Sequence, residues 1–202
     1  MASKGFAVIE IVPRDVLLVF ALASESQEKF NDFEIVHTGV GKINAAYGLT
    51  KALETWRHEH GKLPRMVINL GSAGSNEFNA GQVVNCTDFI QRDFDTTAVG
   101  EGQYETPNEL GSACLNNGLP FDDFPTGICG TGDNFATEQG KFFWNVMDME
   151  AYVYAKICRL EKVPFACFKY ITDGADGKAA DSFSQALVYA AAELRKAVDK
   201  IL

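Results

Sequence analysis

The chain is 202 residues long and carries 18 basic against 27 acidic side chains, a formal net charge of −9. With 47% hydrophobic and 22% charged residues it reads as a folded globular chain, one domain over 1–202 with a sizeable single core, and global disorder is excluded. An acidic chain repels phosphate backbones and anionic lipid, so neither nucleic acid nor a membrane surface is expected as a partner, whereas a small neutral ligand is unaffected.

The five cysteines, Cys86, Cys114, Cys129, Cys158 and Cys167, are odd in number and contain no CxxC pair. That excludes a zinc framework and a disulfide scaffold, and it predicts a reducing, cytoplasmic setting. No run approaches the length of a membrane-spanning helix, and the N-terminal residues do not read as a secretory signal. His58 and His60 are two positions apart, on different helix faces, and read as solvated residues at a helix end.

In chain order, apolar runs predict strands over 6–12 and 16–22. A helix follows over about 42–56, with Ile43, Ala46, Leu49, Leu53 and Trp56 on one side. Strands are predicted over 66–70 and 82–90. Residues 100–124 have turn chemistry and weak periodicity and read as a long surface or active-site loop. Phe94, Tyr104, Phe121 and Phe124 lie in or near it and belong either to an interface or lid or to plain packing. A strand over 127–129 precedes a helix over about 149–160, with Val153 and Ile157 on one side and Pro164 after its end. A strand over 165–172 leads to the last helix, where Phe183, Leu187, Ala190, Ala191, Leu194, Val198 and Ile201 recur at helical spacing. Strands alternating with helices predict an α/β fold with a mostly parallel or mixed sheet, and bare apolar strands predict burial on both faces.

In such folds reactive groups gather where strands end. Thr38-Gly39-Val40-Gly41-Lys42 is not a phosphate loop: Val36 stands where the first glycine belongs and Ile43 where Ser or Thr should follow the lysine. Gly71-Ser72-Ala73-Gly74 fits either a close approach of ligand to backbone or a tight strand-to-helix turn. Glu25 and Asp173 each follow a strand directly, and Glu150 opens an apolar helix, where a carboxylate needs a partner or a ligand. Singly, each suits an ordinary structural role; together, at strand exits, they form a constellation.

Five segments carry a resemblance: "FALASE", "TGVGKINAA", "VINLGSAGS", "GTGDNFAT", and "VMDMEAYVYAKIC" together with "VPFACFKYITDGAD". In this order, from about Val16 to the C-terminal helix, they resemble the nucleoside phosphorylase superfamily, in its hydrolase branch. The resemblance implies a three-layer αβα sandwich around a central mixed, mostly parallel sheet. It implies hydrolysis of the N-glycosidic bond of 5′-methylthioadenosine/S-adenosylhomocysteine-type nucleosides to free adenine, without metal or cofactor, by a homodimer. Glu25 then takes the place of the glutamate that orients the attacking water, and Asp173 that of the acid that protonates N7 of the leaving purine. Glu150 matches the carboxylate that holds the ribose hydroxyls, with Met149 against the sugar. Phe135 matches the aromatic that stacks on the base, and Ala136 the backbone that reads its edge. Ser72 and Thr172 match small polar groups near the water and the acid, beside Ala73 and Gly74 of the glycine segment. Such chemistry needs two carboxyls in different environments, one protonated and one ionised.

The chain departs from the family pattern in three places. Glu25 and Gly39 are only fourteen positions apart, so an expected hairpin is trimmed. Residues 100–124 diverge. Lys169 replaces an arginine, which keeps the charge and loses the bidentate fork. A phosphorylase would place an arginine where Asn69 stands, which favours water as the acceptor. The alternatives are a purine nucleoside phosphorylase and a non-catalytic nucleoside-binding relative.

Overall fold

The computed structural model describes residues 12–100, 102–106, 113–134, 143–173 and 183–202, with backbone alone at 173 and 183–185. The predicted strand over 6–12 lies outside them apart from Val12, which precedes the first described element. Strand β1 (Val16–Phe20) is a wholly buried Val-Leu-Leu-Val-Phe run. Its side chains alternate. Val16, Leu18 and Phe20 join one apolar cluster, and Leu17 and Val19 join another on the opposite face. A strand covered on both sides has no polar period, so it reads as a bare apolar run.

A single helical turn, α1 (Ala23–Ser26), follows β1. Strand β2 (Glu34–His37) then pairs parallel to β1, with His37 opposite Phe20. Helix α2 (Lys42–His60) ends at Gly61, whose φ of +69° is the left-handed conformation that suits a glycine cap. Its buried stripe is Ala45, Leu49, Leu53 and Trp56; the predicted Ile43 is instead 83% exposed, because the helix is rotated to put Ala45 on the sheet.

Strand β3 (Met66–Gly74) lies between β1 and β8 (Phe165–Asp173), parallel to both. The glycine segment 71–74 is thus neither a turn nor the start of a helix. It stays in the strand, with a register shift between Ala73 and Gly74. Strand β4 (Val83–Gln91) pairs antiparallel with β8 and parallel with β6 (Thr126–Thr131). Strand β5 (Cys114–Leu115) adds to its edge. Strand β7 (Val146–Asp148) runs parallel to β6 and touches β3 at Gly74 and Met147. So β3, β8, β4, β6 and β7 pair in a closed ring, and β1 and β2 extend the sheet beyond it.

Helix α3 (Ala151–Glu161) and α2 cover one face. Helix α4 (Phe183–Ile201) covers the other through Ala190, Leu194, Ala197 and Val198. This is the three-layer αβα arrangement with a mixed, mostly parallel sheet. The 100–124 region does not stand off as a plain loop: Phe121 and Phe124 pack on Phe168, with ring centroids 5.5 and 5.0 Å away. Tyr104 meets Trp144 edge-on at 5.4 Å. These aromatics make intramolecular contacts, and Phe121 and Phe124 cover a face of the sheet at Phe168. All five cysteines are free, and no described helix is long and apolar enough to cross a membrane.

Candidate active site

Glu25 sits at the exit of β1 and is only 4% exposed. Its Oε2 accepts the Leu22 N–H at 3.0 Å. Its Oε1 accepts both the N–H and the hydroxyl of Ser72, each at 2.9 Å. Three donors thus fix the carboxylate against the middle of β3, across two strand exits. The approach depends on Gly71, where an added Cβ would lie 3.2 Å from Oε1 and 3.5 Å from the Lys169 Nζ.

Glu150 stands at the N-cap of α3 but does not cap it. Asp148 does: its Oδ2 accepts the Ala151 N–H at 2.8 Å, and the Thr131 hydroxyl oxygen accepts the Tyr152 N–H at 2.9 Å. Glu150 is thereby free to turn toward α2, where its Oε1 accepts the Gly41 N–H at 2.8 Å. Burial, then the negative charge of Asp148, push the Glu150 carboxyl up to about 7; Lys169 and the Gly41 N–H oppose the rise, and Glu25 adds to it.

Lys169 is buried, and its Nζ lies 2.8 Å from Asp148 Oδ2. The other Asp148 oxygen accepts the Thr131 hydroxyl at 2.5 Å. Burial raises the Asp148 carboxyl, but the Lys169 charge and the hydrogen bonds from Lys169, Thr131 and Ala151 bring it below the usual carboxylate range. Burial likewise opposes the charge on Lys169, and Asp148 foremost holds its ammonium well above its ordinary value. Lys169 is thus a buried cation paired with Asp148.

The start of α2 shows why its glycine loop is no phosphate site. Gly39 and Gly41 both take φ of +91°, and the N–H groups that a phosphate would need go to carboxylates. Gly41 serves Glu150, and the Lys42 N–H donates to Asp133 Oδ1 at 2.8 Å. The Lys42 ammonium meets Asp93 at 2.7 Å, and Asp93 accepts the Asp133 N–H at 2.8 Å. This network ties the exits of β4 and β6 to the same helix end.

Of the remaining predicted residues, Ala73 is buried and Met149 half-buried. The Thr172 hydroxyl donates to the Ala73 carbonyl at 3.3 Å. Gly74 is paired with Asp173 across β3 and β8, which brings the Asp173 backbone to the same edge as Ser72. The Asp173 side chain, Phe135 and Ala136 lie outside the described structure. Asp148, Thr131, Asp93 and Asp133 were not singled out from sequence. An aspartate just ahead of an apolar helical run is a cap signal, and Asp148 stands three residues before Ala151, the first residue of α3. Among the described residues, the ligand atoms of Glu34, Glu59 and His60 lie within 4.8 Å of one another on the exposed surface.

Carboxylates and a buried cation at the strand exits of a three-layer αβα sheet mark the candidate site of an α/β protein that binds or cleaves a small ligand. A Helicobacter pylori 5′-methylthioadenosine/S-adenosylhomocysteine nucleosidase solved with an inhibitor superimposes with a TM-score of 0.74 at 18% identity, over 93% of this chain and 99% of that one. The chain belongs to the phosphorylase superfamily, whose family model matches residues 31–202. Glu25 lies just upstream of that match. Among curated relatives, 5′-methylthioadenosine/S-adenosylhomocysteine nucleosidases of Haemophilus influenzae and an Exiguobacterium species are 30% and 33% identical. They align over 85% and 81% of this chain and 80% and 77% of their own length.

Proposed function

We propose that this protein is a purine nucleosidase that hydrolyses the N-glycosidic bond of 5′-methylthioadenosine/S-adenosylhomocysteine-type nucleosides, with water as the acceptor. The observation that carries this reading is the Glu25 carboxylate, held by Leu22 and Ser72 at a strand exit. The curated relatives at about 30% identity bear the same activity in their names.

In this reading Glu25 accepts a hydrogen bond from water, directs its lone pair at the anomeric carbon and takes the proton the water loses as the C–O bond forms. Asp173 donates a proton to N7 of the purine, so that the base leaves neutral. Positive charge grows on the ribose as the bond breaks. Glu150 accepts hydrogen bonds from the ribose hydroxyls, and its negative charge stabilises that cation. Met149 packs against the sugar, and Phe135 and Ala136 hold the base. Lys169 acts at one remove, by neutralising Asp148, and does not need to touch ligand.

Two features favour water over phosphate. Asn69 is buried and turned inward, its Nδ2 donating to the Val19 carbonyl at 3.1 Å. The Lys169 charge is already matched by Asp148. Incubation with methylthioadenosine, adenosylhomocysteine, adenosine and inosine, with and without phosphate, tests the reading by free base released. Phosphate-independent release is expected, and release that requires phosphate would replace it with a phosphorylase. Asp173→Asn should lower the rate by about 10²–10⁴-fold; an unchanged rate would remove Asp173 from the role of acid. We further read the protein as a cytoplasmic homodimer. The free cysteines support the compartment. Val40, Ile43 and Tyr47, exposed together along the start of α2 beside the site, support the second copy.

A further inference from the structure

Glu25 rides on a helix of only four residues, α1, and a turn that short has no cooperative stability of its own. The chain leaves it through Gln27 and Glu28, non-glycine residues with φ of +45° and +56°. Something other than the helix must hold the carboxylate.

At the back of α1, Ser26 is 4% exposed, and its hydroxyl oxygen lies 3.1 Å from the Ala23 carbonyl and 3.0 Å from His37 Nε2. A hydroxyl has one proton. The Ala23 carbonyl already accepts the Gln27 N–H at 3.2 Å, and the Ser26–His37 bond stands whether the hydroxyl or the imidazole supplies its proton. His37 itself stands on a rigid support. It closes β2 in register with Phe20, and its ring lies 6.0 Å from the Phe20 ring. The ladder continues past it, with the Thr38 N–H on the Phe20 carbonyl at 3.0 Å and the Gly39 N–H on the Ala21 carbonyl at 2.9 Å. The residue beside Glu25 is thus bonded across to the end of a paired strand.

We propose that His37 is a positioning residue for the reaction: its Nε2, hydrogen-bonded to the Ser26 hydroxyl, pins α1 and so holds the Glu25 carboxylate where it orients water. The inference rests on the nucleosidase reading. The rest of the short connection has its own anchors. Phe30 is wholly buried, and Arg195 of α4 donates to the Lys29 carbonyl at 2.9 Å and forks onto Asp32. Removing the imidazole therefore loosens the turn without releasing the loop or the core. Misplacing a catalytic group by about 1 Å can cost about 10²-fold in rate. Substrate binding, which falls to Glu150 and its neighbours, is spared.

The test is steady-state kinetics of adenine release from methylthioadenosine. His37→Ala is expected to lower kcat at least ~10-fold, with KM within about twofold and the melting temperature little changed. His37→Gln, whose amide N–H can reach the same oxygen, should recover most of the loss. Ser26→Ala should match His37→Ala, and the double variant should be no worse than either, since both remove one bond. Should His37→Ala fail to fold, Ser26→Ala decides alone. Full kcat in both single variants, a rise in KM in place of a fall in kcat, or no recovery in His37→Gln overturns the proposal while the nucleosidase reading stands. A wild-type chain that releases no adenine removes both.

Discussion

Glu150 is the residue whose chemistry is most exposed to pH. Its carboxyl is held at about 7 against an ordinary 4.5, chiefly by burial and by Asp148. In the free protein it ionises only as pH passes neutrality, and the ionised form is the one that binds ribose hydroxyls and a developing cation. The value of kcat/KM should therefore rise through an acid limb near pH 7, and Glu150→Gln should flatten that limb while lowering the rate by about 10²-fold. Stability moves the other way. A carboxyl whose folded pKa lies above its unfolded one favours folding below the unfolded value, and that contribution is lost as pH rises from about 4.5 through about 7. The loss is on the order of 3 kcal/mol, and chemical denaturation of Glu150→Gln between pH 5 and 8 should show a shallower fall than wild type. Lys169 poses the complementary case. Lys169→Met would strand Asp148 as a buried, uncompensated charge, and urea titration should register a loss of about 3–5 kcal/mol.

At the scale of elements, the helices do two kinds of work. Helix α4 is a packing helix: Leu194 is wholly buried against the face that holds Val16, Leu18 and Phe20. Leu194→Ala should cost about 2–5 kcal/mol, read by urea unfolding, with kcat unchanged in the protein that remains folded. The starts of α2 and α3 are instead parts of the site. Their free N–H groups go to Glu150, Asp133 and Asp148, so each helix end fixes a carboxylate as it is itself capped. The apolar period located both helices to within a few residues. Ile43 is the exception: it lies about a third of a turn off the line that Ala45, Leu49 and Leu53 share, so the smaller Ala45 is buried and Ile43 faces out. Strand β2 escaped notice. It is four residues long, none of its side chains is buried, and its sequence Glu-Ile-Val-His carries no strong apolar signal.

For the whole molecule, the net charge of −9 keeps copies apart in solution unless an apolar face joins them. Val40, Ile43 and Tyr47 supply such a face next to Gly41 and Glu150. Sedimentation analysis should give twice the 22.1 kDa chain mass. An Ile43→Asp, Tyr47→Asp variant should shift the mass toward the monomer, since introducing two like charges on each side of a self-complementary contact costs several kcal/mol. A wild-type mass equal to one chain would reject the dimer. The closed ring of β3, β8, β4, β6 and β7 is also a whole-molecule property, because it depends on β7 returning to β3 at one residue pair, Gly74 and Met147.

The sequence by itself determined the α/β class, the buried strands and the order of the strand exits, because local apolar period and glycine or acid punctuation follow from side-chain chemistry alone. It also pointed to Glu25, Ser72, Glu150 and Lys169 through their place in short motifs. Only the tertiary structure decided what those groups do to one another. Asp148 caps α3 and so frees Glu150 for Gly41, Lys169 meets Asp148 and not open solvent, and His37 reaches Ser26 across the trimmed connection. Each of these pairings joins separate elements, up to 109 positions apart. Their electrostatics depend on distance and burial, which no local pattern encodes.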